Sequence, residues 1–219
     1  EHEEKLKKDA IRKRLENFGY PLFYLDFETL MPGIPMFNES RPFQQIPFQY
    51  SLHYKKSRDS NLEHYEYLAY PNGDPREELI RQLIYDLKRP GKILTYNVGF
   101  ERTRLKELAR DFPKYKAELN PIIERLEDLM PIFRSKEYHE SSMGRGYSIK
   151  LVLPILAPEL SYKELEISNG GDASSEFLKL YESTDQEHIE KTRQALLKYC
   201  HLDTLAMVRI LEELEKRCS

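Results

Sequence analysis

Long apolar runs, a surplus of positive charge and more than a pair of cysteines are all missing from this 219-residue chain. No stretch approaches the roughly 20 consecutive apolar residues that cross a bilayer. No secretory leader opens the sequence, so the expectation is a cytoplasmic protein with no membrane partner. The two cysteines, Cys200 and Cys218, both lie near the C-terminus without the spacing of metal ligands, and are read as reduced thiols. A formal net charge of −3 lacks the bulk basic footprint of a nucleic-acid binder. That absence does not exclude such a partner. An enzyme that holds divalent cations with clustered carboxylates carries its acid locally and needs only a small basic rim to guide its substrate. Internal repeats and low-complexity tracts are also absent. So is an initiator methionine, and the chain is expected to be a piece of a longer polypeptide with further domains.

What remains describes a folded globule. Apolar residues make up 40% and aromatics 11%, with 15 Tyr and 10 Phe, enough for one substantial core despite 32% charged residues. A single domain over 1–219 is expected, with an N-terminal helix in 1–19 and a core in 20–216. From Glu3 to Phe18, Leu6, Ala10, Ile11 and Leu15 recur at helical spacing, with Lys5, Lys7, Lys8, Arg12, Lys13 and Arg14 elsewhere. Such a basic helix could steer a phosphodiester chain, although helices of this kind are more often simply solvated.

Leu22 to Leu25 reads as a buried strand, and Thr29 to Pro47, rich in Pro, Phe and Gln, as irregular. Phe48 to Tyr54 and Glu63 to Tyr70 alternate as two strands joined by a polar turn, completing an antiparallel meander. Asp74 is expected to cap an amphipathic helix from Pro75 to Arg89. Lys92 to Asn97 reads as a further buried strand, and Phe100 opens a helix to about Arg110. Strand, helix, strand, helix implies a crossover and a parallel pairing. The rest is expected to hold a helix over Tyr115–Leu126 broken at Pro121, a fifth strand over Asp128–Phe133 and a mobile polar segment from Arg134 to Tyr147. A helix after Gly170 and Gly171 runs through about Tyr181, and a long one over Asp185–Lys216 closes the chain. The fold class is therefore α/β, a central mixed five-stranded sheet with an antiparallel meander, flanked by helices.

Asp26 and Glu28 interrupt the end of the first strand two residues apart, so on an extended chain both carboxylates leave the same face. Two anions there are costly unless a cation neutralises them, and hard oxygen ligands suit Mg²⁺ or Mn²⁺. In an α/β sheet ligands gather where strands end and helices begin. Asn97 ends one such strand, and Glu101 lies one turn into the next helix. In the last helix Tyr199 and Asp203 are four apart and share a face beside the buried stripe of Leu196, Leu205, Ala206 and Ile210. An unpaired Asp203 near that stripe calls for a counter-ion.

These residues resemble the motifs of the DnaQ-like exonucleases, the DEDD superfamily with a ribonuclease-H-like fold. Asp26-Phe27-Glu28-Thr29 is similar to their first motif, Asn97 to Glu101 to their second, and Tyr199 to Asp203 to the third motif of the tyrosine subclass. Glu101 departs from the usual Asp. The resemblance covers roughly Leu22 to Leu214 and is strongest to a bacterial branch, the domain of unknown function numbered 2779, through SIKLVLP and YCHLDTLAMV. It implies metal-dependent hydrolysis at a free three-prime end of single-stranded DNA or RNA, with two Mg²⁺ or Mn²⁺ ions held by Asp26, Glu28, Glu101 and Asp203. It also implies that Tyr199 orients the attacking water.

Thr29, Leu30, Met31, Asn97 and Lys150 are candidates to touch the substrate, Leu30 and Met31 as a wedge and Lys150 at a phosphate. Phe37, Phe43 and Tyr147 could stack on bases, with Arg41 nearby. Asp128 is expected to be structural, and His139 and His201 to lie on the surface. Two other readings stay open, a catalytically inactive module of the same fold that binds nucleic acid or a protein, and a hydrolase of small phosphodiesters.

Overall fold

In the computed structural model, which describes residues 4–219, the first described residues form a strand where a helix is expected. β1 (Glu4–Leu6) pairs antiparallel with Tyr138–Glu140, and only from Lys8 does the helical spacing take over, in α1 (Lys8–Phe18). The expected helix start at Glu3 lies outside the described residues. The basic side chains of α1 are partly committed to packing. Arg14 makes a two-pronged pair with Glu137 at 2.6 and 2.7 Å, and Arg12 donates to the carbonyl of Cys218 at 2.7 Å.

The main sheet is built from β2 (Leu22–Leu30), β3 (Ile46–Lys55) and β4 (Glu63–Leu68), then β5 (Lys92–Thr95) after α2 (Arg76–Asp86). After α3 (Val98–Asp111), a short 3₁₀ turn at Pro113–Tyr115 and α4 (Lys116–Glu124), β6 (Leu126–Asp128) forms the last strand. The order is β4-β3-β2-β5-β6. β2, β3 and β4 run antiparallel, whereas β5 lies parallel to β2 and β6 parallel to β5, so the meander and the crossover are both present. Gly91, at φ +140°, lets the chain enter β5 beside Pro21, where a Cβ would stand 2.5 Å from the Pro21 carbonyl oxygen.

Several boundaries differ from the sequence reading. β2 runs through Asp26 and Glu28 to Leu30, because its partner β3 begins at Ile46 and pairs with it there. The irregular segment shrinks accordingly. Asp74 accepts the Arg76 backbone N–H at 3.0 Å, and α2 stops short of Arg89. α4 is not broken at Pro121, whose exposed position leaves the unpartnered carbonyl one turn back on the solvent side. The fifth strand ends at Asp128, and the rest of its expected span folds into the single turn α5 (Pro131–Arg134), with Ile132 and Phe133 buried. The segment read as mobile contains β7 (Tyr138–Glu140), which β1 orders, and a 3₁₀ turn at Ser141–Met143. α6 (Ile149–Leu156), α7 (Gly170–Leu180) and α8 (Gln186–Cys218) complete the chain. Asp185 caps α8 by accepting the N–H groups of Glu187 and His188 at 3.0 and 3.1 Å. Among the described residues no helix is long and apolar enough to cross a membrane.

The alternation along β2 divides the core. Phe23, Leu25 and Phe27 face α2, α3 and α4 in one apolar cluster. On the opposite face Leu22 and Tyr24 join a cluster with α1, α6 and α8, and Leu30 joins another with α7. Asp26 and Glu28 share that second face and fall in the seam between its two clusters.

Candidate functional site

That seam is a cleft of about 590 Å³. Asp26 and Glu28 of β2, Asn97 and Glu101 at the start of α3, Lys150 of α6, and Tyr199 and Asp203 of α8 all line it, with Thr29 and Met31 at one end. The three sequence segments read as motifs thus meet in one place. Leu30 does not join them: two residues beyond Glu28, its side chain is fully buried in the cluster beside α7 and cannot wedge against a ligand. Met31, at 49% exposure, stays free beside the cleft.

Each acid reaches the cleft for a local reason. Asn97 adopts a left-handed conformation, φ 85°, which Asn tolerates better than most residues, and so turns the chain from β5 into α3. Asp128 holds that turn, accepting the backbone N–H of Asn97 at 3.1 Å and of Met130 at 3.0 Å. Glu101 follows in the first turn of α3, and Asp203 is carried by α8, whose buried stripe packs on β2 and β3.

Glu28, Glu101 and Asp203 are 6%, 2% and 7% exposed, so their charges are held largely out of water. Burial is the largest cause raising each carboxyl above its ordinary range. Asp26 is raised further by Asp203, Glu28 and Glu101, and Glu28 by Asp203 and Glu101. Glu101 is pushed up to about 8, with Asp128 adding to burial and Arg104 opposing. Asp203 is pushed up to about 6, held from rising further by hydrogen bonds from Tyr162 and Tyr199 and by Lys150. Among the described residues, Oε2 of Glu101 is a buried oxygen with no hydrogen-bond partner. Ligand atoms of Asp26, Glu28 and Cys200 lie within 4.8 Å of one another, and Glu101, with its orphaned oxygen, and Asp203 line the same cleft; carboxylate oxygens are the donor type that suits a hard divalent cation.

The basic and phenolic groups frame the acids. Lys150 Nζ donates to the carbonyl of Ser168 and stands 3.5 Å from the Tyr199 hydroxyl, over the rings of both Tyr199 and Tyr162. Burial and the neighbouring acids push the Tyr199 phenol well up, so it stays protonated at neutral pH.

Three features escaped the sequence reading. Tyr162 donates to Asp203 Oδ1 at 2.6 Å from a Pro-flanked loop that carries no motif. Cys200 lies fully buried with its sulfur 3.8 Å from the Asp26 carbonyl oxygen, and burial pushes its thiol up, leaving a neutral packing group. His201, expected at the surface, is partly buried against His53 and His64, because the adjoining faces of α8 and β3 enclose it. His139, by contrast, sits in β7 opposite Lys5. Of the residues considered for stacking, Phe43 is 68% exposed beside Met31 and Arg41, and Phe37 instead packs on Tyr181 with ring centres 6.1 Å apart.

The family described as Domain of unknown function (DUF2779) matches residues 23–148. The Uncharacterized protein MG366 homolog of Mycoplasma pneumoniae is 27% identical over 218 residues, which cover 85% of this chain and 31% of that protein. Uncharacterized protein MG366 of Mycoplasma genitalium is 28% identical over 209 residues, 86% of this chain and 31% of that protein. The chain therefore spans about a third of the length of these curated relatives, 31% in each case. No solved structure matches.

Proposed function

This chain belongs to the DUF2779 family, and we propose that it works as a divalent-metal-dependent three-prime to five-prime exonuclease on single-stranded DNA or RNA. The observation that carries the reading is the convergence of Asp26, Glu28, Glu101 and Asp203 in one buried cleft with Glu101 Oε2 unpartnered. A buried cluster of like charges with so little cationic compensation is costly unless ions complete it. A ribonuclease-H-like, DnaQ-like arrangement is the finer reading of the sheet. The antiparallel meander followed by parallel strands, with the acids on β2, α3 and α8, supports it.

Asp26, Glu28, Glu101 and Asp203 would hold two Mg²⁺ or Mn²⁺ ions, which supply an activated water and stabilise charge on the leaving oxygen. The remaining work falls to the chain. Asp26 and Glu28, on neighbouring same-face positions of β2 where it pairs with Ser51 and Gln49 of β3, just beyond the last residue paired with β5, are held by the sheet as ligands. Tyr199, kept protonated, orients the attacking water as a hydrogen-bond donor or acceptor and does not serve as its base. Tyr162 fixes the Asp203 carboxylate. Lys150, at the cleft wall, meets a phosphate oxygen. Met31 joins the cleft to a second groove lined by Arg41, Phe43 and Arg104, a path with the cationic and aromatic groups that an unpaired strand needs.

The test is a five-prime-labelled single-stranded oligonucleotide incubated in Mn²⁺ with intact protein and with Asp26→Ala. The expected result is a ladder shortening from the three-prime end that the variant does not produce. A ladder that persists in Asp26→Ala, or no cleavage of DNA or RNA by intact protein, overturns the reading and leaves an inactive binding module.

A further inference from the structure

The sheet face that carries Asp26 and Glu28 holds a second convergence of donor atoms, where α8 crosses β3 and β4. His53 of β3 stands opposite His64 of β4 in the antiparallel register, and His201 of α8 closes over both. The ring centres lie 4.4 Å apart for His53 and His64, 4.9 Å for His53 and His201, and 4.4 Å for His64 and His201. One nitrogen from each ring lies within 4.8 Å of the other two. The pair His64 Nε2 and His201 Nδ1 is 3.3 Å apart. Two nitrogens each about 2.0–2.1 Å from a tetrahedral zinc ion stand about 3.3 Å from one another.

The surroundings are those of a built site. Thr204, fully buried, has its hydroxyl 2.8 Å from His53 Nδ1 and 2.7 Å from the Ser51 hydroxyl, and donates to the His201 carbonyl at 3.1 Å. A ring nitrogen fixed by a hydroxyl in this way is how proteins orient an imidazole toward an ion. On the open side Glu66 Oε2 lies 3.9 Å from His64 Nε2. A groove of about 580 Å³, lined by His64, Glu66 and His201, gives a route in from solvent.

The geometry points to a tetrahedral site for one zinc-like divalent transition ion, with His53, His64 and His201 as ligands and Glu66 or water in the fourth position. Imidazole ligands select such an ion over Mg²⁺ and Mn²⁺, so this site is chemically distinct from the carboxylate cleft. The ion ties α8 to the β3–β4 edge. Because His201 lies between Tyr199 and Asp203 along α8, that tie also fixes how far those two residues reach toward β2.

The probe is Co²⁺ added to the metal-stripped full chain, followed by visible absorption. One equivalent is expected to give the intense d–d bands of a four-coordinate ion, displaced by Zn²⁺. His64→Ala and His201→Ala, shown by circular dichroism to be folded, are expected to bind Co²⁺ more than about tenfold more weakly and to lose those bands. Asp26→Asn is expected to keep them. Absence of four-coordinate bands in the unsubstituted chain, their persistence in His64→Ala, or their loss in Asp26→Asn overturns the assignment. A melting temperature raised by Zn²⁺ in the unsubstituted chain but not in His64→Ala supports it independently of colour.

Discussion

The four acids differ in what their neighbours do for them. Asp203 has two phenol partners and Lys150, and it is pushed up only to about 6, whereas Glu101, with an orphaned oxygen, reaches about 8. Removing the Tyr162 hydroxyl therefore acts through Asp203. Tyr162→Phe is expected to weaken Mn²⁺ affinity about 10- to 100-fold, the usual effect of losing a group that positions a ligand, with little change in fold. Calorimetric titration of Mn²⁺ checks this, and unchanged affinity would sink it. The raised carboxyls also set a pH dependence. A group whose folded value lies above its unfolded value makes the folded protein bind more protons, so stability falls as pH rises between the two values and is flat above the folded one. Burial lowers His53 to about 3 and His64 to about 4, so these rings act in the opposite sense, costing stability as pH falls below their unfolded value. Above about pH 7.5, a unit beyond the free imidazole value, the rings have largely lost their protons in both states, and through the Glu101 value of about 8 the carboxyls set the slope. Metal-free protein is expected to melt at progressively lower temperature across that window, and Glu101→Gln to flatten the slope. A melting temperature that rises with pH there contradicts it.

At the scale of elements, the site depends on where β5 and α3 meet. Gly91→Ala drives a Cβ to within 2.5 Å of the Pro21 carbonyl at a positive φ, and is expected to cost about 2–4 kcal/mol in denaturant unfolding. Asp128→Ala releases the Asn97 turn. Its expected signature is a loss of Mn²⁺ affinity larger than its loss of stability, since Glu101 follows that turn. Equal losses would mean that Asp128 serves only the fold. The same elements show what the sequence could and could not say. β2 and β5 were legible as short apolar runs, β3 and β4 because alternation persists along them, and α8 because helical spacing runs for many residues without Pro or Gly behind the Asp185 cap. β1 and β7 were not, since three-residue strands carry no periodicity and each exists only through the other. The three motif segments were readable as residues. Tyr162 and the partners of His201 were not, because the chain brings them together only after long-range pairing. Leu30 was misassigned for a related reason: adjacency to Glu28 in sequence said nothing about the α7 cluster that covers it.

For the whole molecule, a net charge of −3 leaves 34 Lys and Arg beside 37 Asp and Glu, so charge of either sign at one site is set locally, as it is in the cleft that Asp26, Glu28, Glu101 and Asp203 line. The chain aligns with 31% of each curated Mycoplasma relative. A cluster of raised carboxyls should make folding strongly dependent on ions. Mn²⁺ at a hundred times its dissociation constant is expected to add about 2.7 kcal/mol per site, or about 5–10 °C in melting temperature. The most direct measurement of the central claim is the stoichiometry of bound Mn²⁺ by electron paramagnetic resonance, with the His64→Ala variant separating any ion held by the imidazoles. Two Mn²⁺ per chain, unchanged in His64→Ala and reduced in Asp26→Asn, is the predicted result. No bound Mn²⁺, or binding indifferent to Asp26→Asn, would contradict the claim that Asp26, Glu28, Glu101 and Asp203 form a metal centre.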